Sequence, residues 1–196
     1  MNPHTTMRIK RQRRQSRRSR SSFGVGVKLK YLTKSPNQTK KMGEILAKEI
    51  LKTKQQESAF VLGLEGDLGG GKTTFLQGFA RGLGIKEKIL SPTFIIMRKF
   101  RMGPKRSLGG WRAGWSPIRQ PADQFLNLYH IDCYRIKKTK EILELGFKEV
   151  ISQPPNIIAI EWADRIRKIL PKYILILKFK FIKKNKREII VQYKND

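Results

Sequence analysis

Apolar residues follow two different spacings along this chain, and together they predict alternating helices and strands. Met42, Ile45, Leu46 and Ile50 recur at helical spacing, which predicts a helix that opens at residues 35–39 and runs to about residue 52. Shorter apolar runs predict strands at 27–32, 59–65, 95–100, 125–131, 157–160, 173–181 and 188–193. A turn at Lys184 and Asn185 separates the last two, so they are expected to form an antiparallel hairpin.

Three further segments have helical patterns, at 73–83, 141–149 and 164–170. In the segment 141–149, Ile142, Leu145 and either Phe147 or Val150 would face the interior. Strands that alternate with helices are typical of α/β proteins. We therefore expect an α/β fold with a C-terminal antiparallel hairpin.

The chain is predicted to hold one folded domain, at 25–196. Residues 1–24 are dominated by arginine and serine, which predicts a disordered basic arm. An RNA-binding arm, a transit peptide and a start codon placed too far upstream are three interpretations of it. Residues 101–121 interrupt the strand pattern with glycine, proline and two tryptophans, which predicts a basic loop insertion. Trp111 and Trp115 would stack on nucleotide bases, pack back on the sheet or be partly disordered, and the last two are favoured.

The net charge of +28 is concentrated in two segments. Residues 1–34 hold 11 Lys and Arg and no acid, and residues 98–121 hold 7 and no acid; subtracting both leaves +10. Charge of this kind favours contact with RNA or with a partner that handles RNA. The simpler interpretations are a generally basic proteome and solubilising tails. No apolar run approaches about 18 residues, so no membrane span is expected. The single cysteine, Cys133, excludes an intramolecular disulfide, suits a reducing cytoplasm and is predicted to be a buried, inert thiol.

One motif carries specific chemistry. The pattern G-x-x-x-x-G-K-S/T of a phosphate-binding P-loop is matched by Gly66, Asp67, Leu68, Gly69, Gly70, Gly71, Lys72 and Thr73. Glycines at 66, 69, 70 and 71 permit positive φ angles, so that backbone N–H groups can surround an anion. Lys72 would reach the β- and γ-phosphates, and the Thr73 hydroxyl would be placed to bind Mg²⁺. The alternative is a glycine-rich turn that binds nothing, but the strand before the motif and the helix after it favour phosphate binding.

Two acids follow apolar strands at the positions where a P-loop fold needs carboxylates. Asp132 follows the strand 125–131, and Glu161 follows the strand 157–160. Each has the alternative of an ordinary surface carboxylate beyond a strand end. Thr93 lies where a threonine could sense the γ-phosphate, or in a simple loop-to-strand turn. His130 is interpreted as a packed histidine rather than a base.

Five ordered blocks resemble the TsaE (YjeE) family over about residues 32–193. They are G-D-L-G-G-G-K-T-T-F at 66–75, S-P-T-F at 91–94, H-I-D-C-Y-R at 130–135, E-L-G-F at 144–147 and I-A-I-E-W at 158–162, with L-P at 170–171. The family is the bacterial ATPase required for the threonylcarbamoyladenosine (t6A) modification of tRNA. The resemblance implies a three-layer P-loop NTPase fold with a mostly parallel central sheet. It also implies binding of ATP and Mg²⁺ and weak intrinsic ATP hydrolysis.

The resemblance also implies a role for individual residues. Thr73 and Glu161 would hold Mg²⁺, Lys72 would clamp the phosphates, Asp132 would be the catalytic aspartate and Thr93 the sensor of the nucleotide state. Thr39 would border the adenine, and Trp162 adjoins the acidic metal ligand. The implied nucleotide-binding set is Thr39, Asp67, Leu68, Gly69, Gly70, Gly71, Lys72, Thr73, Thr74 and Trp162.

The partner implied by the resemblance is the TsaD–TsaB complex, which transfers threonylcarbamoyl to adenosine 37 of tRNAs that read codons beginning with A. Contact with tRNA would run through that complex, with direct contact through the basic arm as an addition, in the cytoplasm and without a membrane. Two alternatives stay open at this point. One is a small-molecule or nucleoside kinase, for which the sequence has no dedicated acceptor motif. The other is an RNA-binding protein with a vestigial P-loop.

Overall fold

The computed structural model describes residues 28–53, 57–90, 95–102 and 125–194. Within these residues seven strands form one sheet: β1 (Lys28–Thr33), β2 (Phe60–Gly66), β3 (Met97–Arg101), β4 (Asn127–Asp132), β5 (Asn156–Glu161), β6 (Ile174–Lys183) and β7 (Lys186–Lys194). The helices are α1 (Pro36–Lys52), α2 (Lys72–Gly82), α3 (Thr139–Leu143) and α4 (Phe147–Ser152), and a 3-10 helix spans Ala163–Ile169.

The strand order across the sheet is β1-β7-β6-β2-β5-β4-β3. The four central strands are mutually parallel, because β2 pairs in parallel with β5 and β6, and β5 pairs in parallel with β4. The outer pairs β3–β4, β6–β7 and β1–β7 are antiparallel. The predicted mostly parallel centre and the C-terminal hairpin are therefore confirmed.

The helices cover both faces of the sheet, so the predicted three-layer α/β architecture is confirmed. Successive residues of β2 point to opposite faces: Leu62 and Leu64 pack with α1 and α2, whereas Val61 packs with α3, α4 and the 3-10 helix. Every residue of β5 is buried, as expected for a central parallel strand covered by helices on both sides. The last residue of β5, Glu161, therefore lies where the carboxyl ends of the parallel strands meet, away from either edge strand.

Helices α1 and α2 approach each other closely through glycines. A Cβ built at Gly78 of α2 would overlap the carbonyl oxygen of Lys40 in α1, and one built at Gly43 would overlap the carbonyl oxygen of Phe75. Each helix thus lacks a side chain where the backbone of the other passes. Since α2 directly follows the P-loop, this crossing also fixes the direction in which the N-terminus of α2 faces the loop.

Two helix predictions were wrong in detail. The helix expected at 141–149 is divided into α3 and α4, because Gly146 adopts φ 77°, a left-handed conformation that ends the first helix. Ile142 and Phe147 are buried as expected, but Leu145 is 46% exposed. The helix expected at 164–170 is a 3-10 helix with non-helical angles at Ile166.

Other predictions fall outside the described residues. The basic arm at 1–24 and nearly all of the insertion at 101–121 lie there, so both stay predictions, as does the domain boundary near residue 25. In the described segments, no helix has the length and apolar character that crossing a membrane requires.

We expect Gly78→Ala to lower the free energy of unfolding by about 1 to 3 kcal/mol, because the added methyl group would collide with backbone rather than with a flexible side chain. The measurement is chemical denaturation monitored by circular dichroism. Lys41→Ala on the solvent side of α1 is the control and should change stability by no more than about 0.5 kcal/mol. Equal stability of Gly78→Ala and the parent would contradict the proposed closeness of the helices.

Candidate functional site

The P-loop joins the end of β2 to the start of α2, as predicted. Gly66, Gly69 and Gly71 have positive φ angles of 116°, 71° and 101°. Gly70 does not, so its expected positive φ was wrong; a Cβ there would instead lie 2.9 Å from the carbonyl oxygen of Asp67. At the N-terminus of α2, no side chain caps the free N–H groups, and the first turn contains no acid. The loop therefore presents backbone donors and the positive end of a helix dipole to an anion.

Lys72 is folded over the P-loop. Its ammonium group donates hydrogen bonds to the carbonyl oxygens of Gly66 (2.6 Å) and Asp67 (2.8 Å) and lies 3.7 Å from the centre of the Trp162 ring. Burial lowers the pKa of Lys72, and the nearby charges of Glu161 and Asp132 oppose this shift. Lys72 is thus a buried cation whose partners are mostly neutral oxygens and a ring, a set that phosphate oxygens could replace.

Glu161, the last residue of β5, is held by two side chains. The Thr73 hydroxyl lies 3.0 Å from each of its carboxylate oxygens. His130 Nε2 lies 3.1 Å from Oε1, a distance at which an N–H on Nε2 can donate a hydrogen bond to that oxygen. Glu161 is only 2% exposed, so these contacts compensate for much of the lost hydration of its carboxylate. The threonine at the start of α2 is thereby coupled to the acid at the end of β5.

Asp132, the last residue of β4, lies beside Glu161, because the two residues are direct partners in the parallel β4–β5 ladder. Its Oδ1 accepts a hydrogen bond from the backbone N–H of Tyr134 at 2.9 Å, which fixes the chain as it leaves the strand. The expectation that both acids come at strand ends is therefore confirmed, and the structure adds that the two strands are neighbours. Cys133 next to it is buried, and burial together with the Asp132 charge raises its pKa to about 12, so the thiol is inert as predicted.

A cavity of about 510 Å³ opens in front of these groups. This volume is in the range of small-molecule sites. The predicted site residues that line it are Thr39, Leu68, Gly69, Gly70, Gly71, Lys72, Thr73, Thr74, Asp132, Glu161 and Trp162. Asp67 does not line it and contributes its carbonyl oxygen to Lys72 instead. Thr93 lies outside the described residues, and its sensing role stays a prediction.

Thr39 lines the cavity from α1, together with Ser35 and Pro36 at the start of that helix. Its hydroxyl is within 2.9 Å of the Thr33 hydroxyl and donates to the Ser35 carbonyl oxygen at 3.3 Å. The hydroxyl thus holds the start of α1 against the end of β1. Its buried position suits shaping of the cavity wall more than a polar contact with a ligand.

Trp162 has a strained backbone, with φ 58° directly after Glu161. Its ring lies 5.1 Å from the ring of Tyr134, centroid to centroid, and covers the Lys72 ammonium. The residue therefore forms an aromatic wall between the P-loop and the end of β4. A strained conformation next to a buried acid is a common feature of functional sites.

Arg187 was missed by the sequence reasoning. Its Nε donates to the Gly69 carbonyl oxygen at 3.2 Å, and its Nη1 donates to the carbonyl oxygens of Lys183, Lys184 and Lys186 at 3.0, 3.4 and 3.1 Å. The guanidinium also lies 4.5 Å from the centre of the Phe181 ring. Arg187 thus ties the β6–β7 turn to the P-loop, and Lys184 and Asn185 of that turn line the cavity. In the sequence, Arg187 is one arginine in a lysine-rich turn, and that pattern is a weak signal for a site residue.

No Mg²⁺-binding cluster of three or more His, Cys, Asp or Glu side chains exists among the described residues. The oxygen donors of Thr73 and Glu161 nevertheless suit this ion, because Mg²⁺ is commonly held by one or two protein oxygens together with phosphate oxygens and water. The donor set therefore fits a metal that arrives with a nucleotide.

The glycine-rich loop before α2, the buried lysine and the two acids at the ends of parallel strands define a P-loop nucleotide-binding protein. The family model described as "Threonylcarbamoyl adenosine biosynthesis protein TsaE" matches residues 33–189. The chain therefore belongs to the TsaE family, and the resemblance seen in the sequence is confirmed.

Individual relatives agree with this assignment. The tRNA threonylcarbamoyladenosine biosynthesis protein TsaE of Bacillus subtilis is 34% identical over 161 residues, covering 82% of this chain and 83% of the relative. The protein of the same name from Rickettsia prowazekii is 31% identical and covers 82% of this chain and 92% of its own. The crystal structure of Bacillus subtilis YdiB matches with a TM-score of 0.61 and 30% identity, covering 87% of each chain.

Arg187→Ala should weaken nucleotide binding roughly fivefold, because losing a hydrogen bond of about 1 kcal/mol to Gly69 loosens the P-loop. Titration of the protein with a fluorescent ATP analogue measures the effect. Arg187→Lys keeps the charge but not the forked donors, and should restore binding only in part. Unaltered affinity in Arg187→Ala would show that the P-loop does not need this contact.

Proposed function

We propose that this protein binds ATP with Mg²⁺, hydrolyses it weakly by itself and acts as an accessory ATPase in t6A formation. The observation that carries the proposal is the pair of contacts between the Thr73 hydroxyl and the Glu161 carboxylate. They join the end of the P-loop to an acid on the neighbouring parallel strand, which is the arrangement that P-loop hydrolases use around a metal-bound nucleotide. Membership of a family named for threonylcarbamoyl adenosine biosynthesis supports the pathway.

The residues of the cavity suggest a division of roles. Thr73 and Glu161 would hold Mg²⁺, which would neutralise charge on the nucleotide phosphates. Lys72 would exchange the carbonyl oxygens of Gly66 and Asp67 for phosphate oxygens, and the free N–H groups of α2 would donate to the same phosphates. Asp132 would accept a hydrogen bond from the attacking water and orient it.

Other residues would position these groups. His130 holds one oxygen of Glu161, which leaves that carboxylate a restricted set of orientations. Trp162 keeps water away from the Lys72 ammonium on one side. We further propose that Thr93 senses the γ-phosphate. Thr39 would border the adenine, since it lines the cavity on the α1 side.

The proposed partner is the TsaD–TsaB complex in the cytoplasm, with tRNA reached through that complex. ATP turnover would activate or reset the complex, and the protein itself would not modify the RNA. Weak turnover in the free protein fits the engagement of Lys72 with backbone carbonyls, because a rearrangement must precede its contact with phosphate.

Glu161→Gln should keep most of the nucleotide affinity but reduce ATP turnover by roughly a hundredfold or more, since an amide is a poor metal ligand and cannot replace the carboxylate charge. Steady-state phosphate release and nucleotide titration measure the two effects separately. Glu144→Gln, an exposed acid that pairs with Lys140 and does not line the cavity, is the matched control and should behave as the parent. Unchanged turnover in Glu161→Gln would remove Glu161 from the site.

Mixing the protein with the TsaD–TsaB pair should produce an ATP-dependent complex in size-exclusion chromatography and faster phosphate release than either component alone. Lys72→Ala should lose the stimulation, because the phosphates lose their cation. A mixture with neither a complex nor stimulation would contradict the proposal. Transfer of the γ-phosphate to a nucleoside, rather than its release to water, would identify a kinase instead.

A further inference from the structure

A second concave surface, of about 580 Å³, lies beside the start of α3 and the 3-10 helix. We call it the basic surface, and its lining residues are Lys137, Lys138, Thr139, Asp164, Arg165, Arg167 and Lys168. Five of these side chains are cationic and one is acidic, so the formal charge of the lining is +4. The lysines and arginines are all exposed.

Most of this charge is unpaired. Arg167 forms an ion pair with Glu65 at 3.0 Å. In the part of the chain that the structure describes, no carboxylate lies within ion-pair distance of Lys137, Lys138, Arg165 or Lys168, although Arg165 donates to the Ile136 carbonyl oxygen at 3.4 Å. Asp164 is the one acid of the lining, so the four cations without an ion pair repel one another, and an anionic partner would relieve that repulsion.

The chemistry of the lining favours a nucleic acid over a protein. Specific protein interfaces usually have an apolar or aromatic centre. All seven lining side chains are charged or carry a hydroxyl, and lysine, arginine and threonine are among the residues that contact phosphate oxygens in nucleic-acid complexes. We propose that the basic surface binds the phosphodiester backbone of RNA, a direct contact that the proposed ATPase function does not require.

The basic surface adjoins the nucleotide cavity. Glu141, which lines that cavity, accepts hydrogen bonds from the backbone N–H groups of Lys137 (3.0 Å) and Lys138 (2.7 Å). The Arg165 guanidinium lies 5.5 Å from the Tyr134 ring centre and 5.8 Å from that of Trp162, two further residues of the cavity wall. RNA bound there would lie near the end of the cavity that holds Asp132 and Glu161.

The test compares two full-length variants with the same change of charge. Lys137→Glu/Lys168→Glu alters the basic surface, and Lys86→Glu/Lys88→Glu alters two exposed lysines of the loop after α2. The probe is a fluorescently labelled, unmodified tRNA transcript, whose dissociation constant is measured by anisotropy over a series of KCl concentrations. Any binding by residues 1–24 is the same in both variants and cancels in the comparison.

We expect the variant of the basic surface to bind tRNA more weakly at every salt concentration. The slope of log Kd against log salt should fall by about two, one for each lost phosphate contact, whereas the control should keep the parental slope. Equal slopes in the two variants would overturn the proposal. If melting curves show that the double reversal unfolds, Lys137→Gln/Lys168→Gln is tested by the same comparison with Lys86→Gln/Lys88→Gln.

Two further measurements on the same samples separate this inference from the proposed function. A parental salt slope together with loss of the TsaD–TsaB complex would identify a protein interface and overturn RNA binding. Failure of the parent to bind ATP would contradict the ATPase proposal and leave the RNA result intact, because the RNA titration contains no nucleotide.

Discussion

The hydrogen bonds between the Thr73 hydroxyl and the Glu161 carboxylate are the interaction on which the site depends. They join residues 88 positions apart in the chain, at the start of α2 and the end of β5. The bonds can form because β2 and β5 are parallel neighbours, so that their carboxyl ends reach the same edge of the sheet. Glu161 is nearly inaccessible to water, and Thr73 and His130 supply the partners that a buried carboxylate needs.

The P-loop is held in place from two further directions. On one side, α2 is fixed by the close glycine crossing with α1, which leaves no space for side chains between the two backbones. On the other side, Arg187 joins Gly69 to the hairpin of β6 and β7, whose strand β6 is paired with β2. Positioning by rigid neighbours matters because a phosphate site relies on several backbone N–H groups that must point at one place.

Charge is distributed unequally between the two concave surfaces. The nucleotide cavity contains acids, and Lys72 there is buried among carbonyl oxygens, an aromatic ring and carboxylates. The basic surface beside it has cations with few counter-charges. A site that handles Mg²⁺ and phosphates needs charges of both signs, whereas a surface that contacts only phosphates needs cations. The large net charge of the chain therefore does not describe the nucleotide cavity, which is lined by side chains of both signs.

The sequence by itself determined the local features. The P-loop, the alternation of strands and helices, and the acids at strand ends are all readable because each depends on a few neighbouring residues. Even the break at Gly146 was locally encoded, although the helical spacing of Ile142 and Leu145 masked it. Only the tertiary structure revealed that His130 contacts Glu161, that Arg187 contacts a loop 118 residues away, and that Lys137 and Lys168 share one surface. Such contacts depend on the order and register of strands in the sheet, which no local pattern specifies.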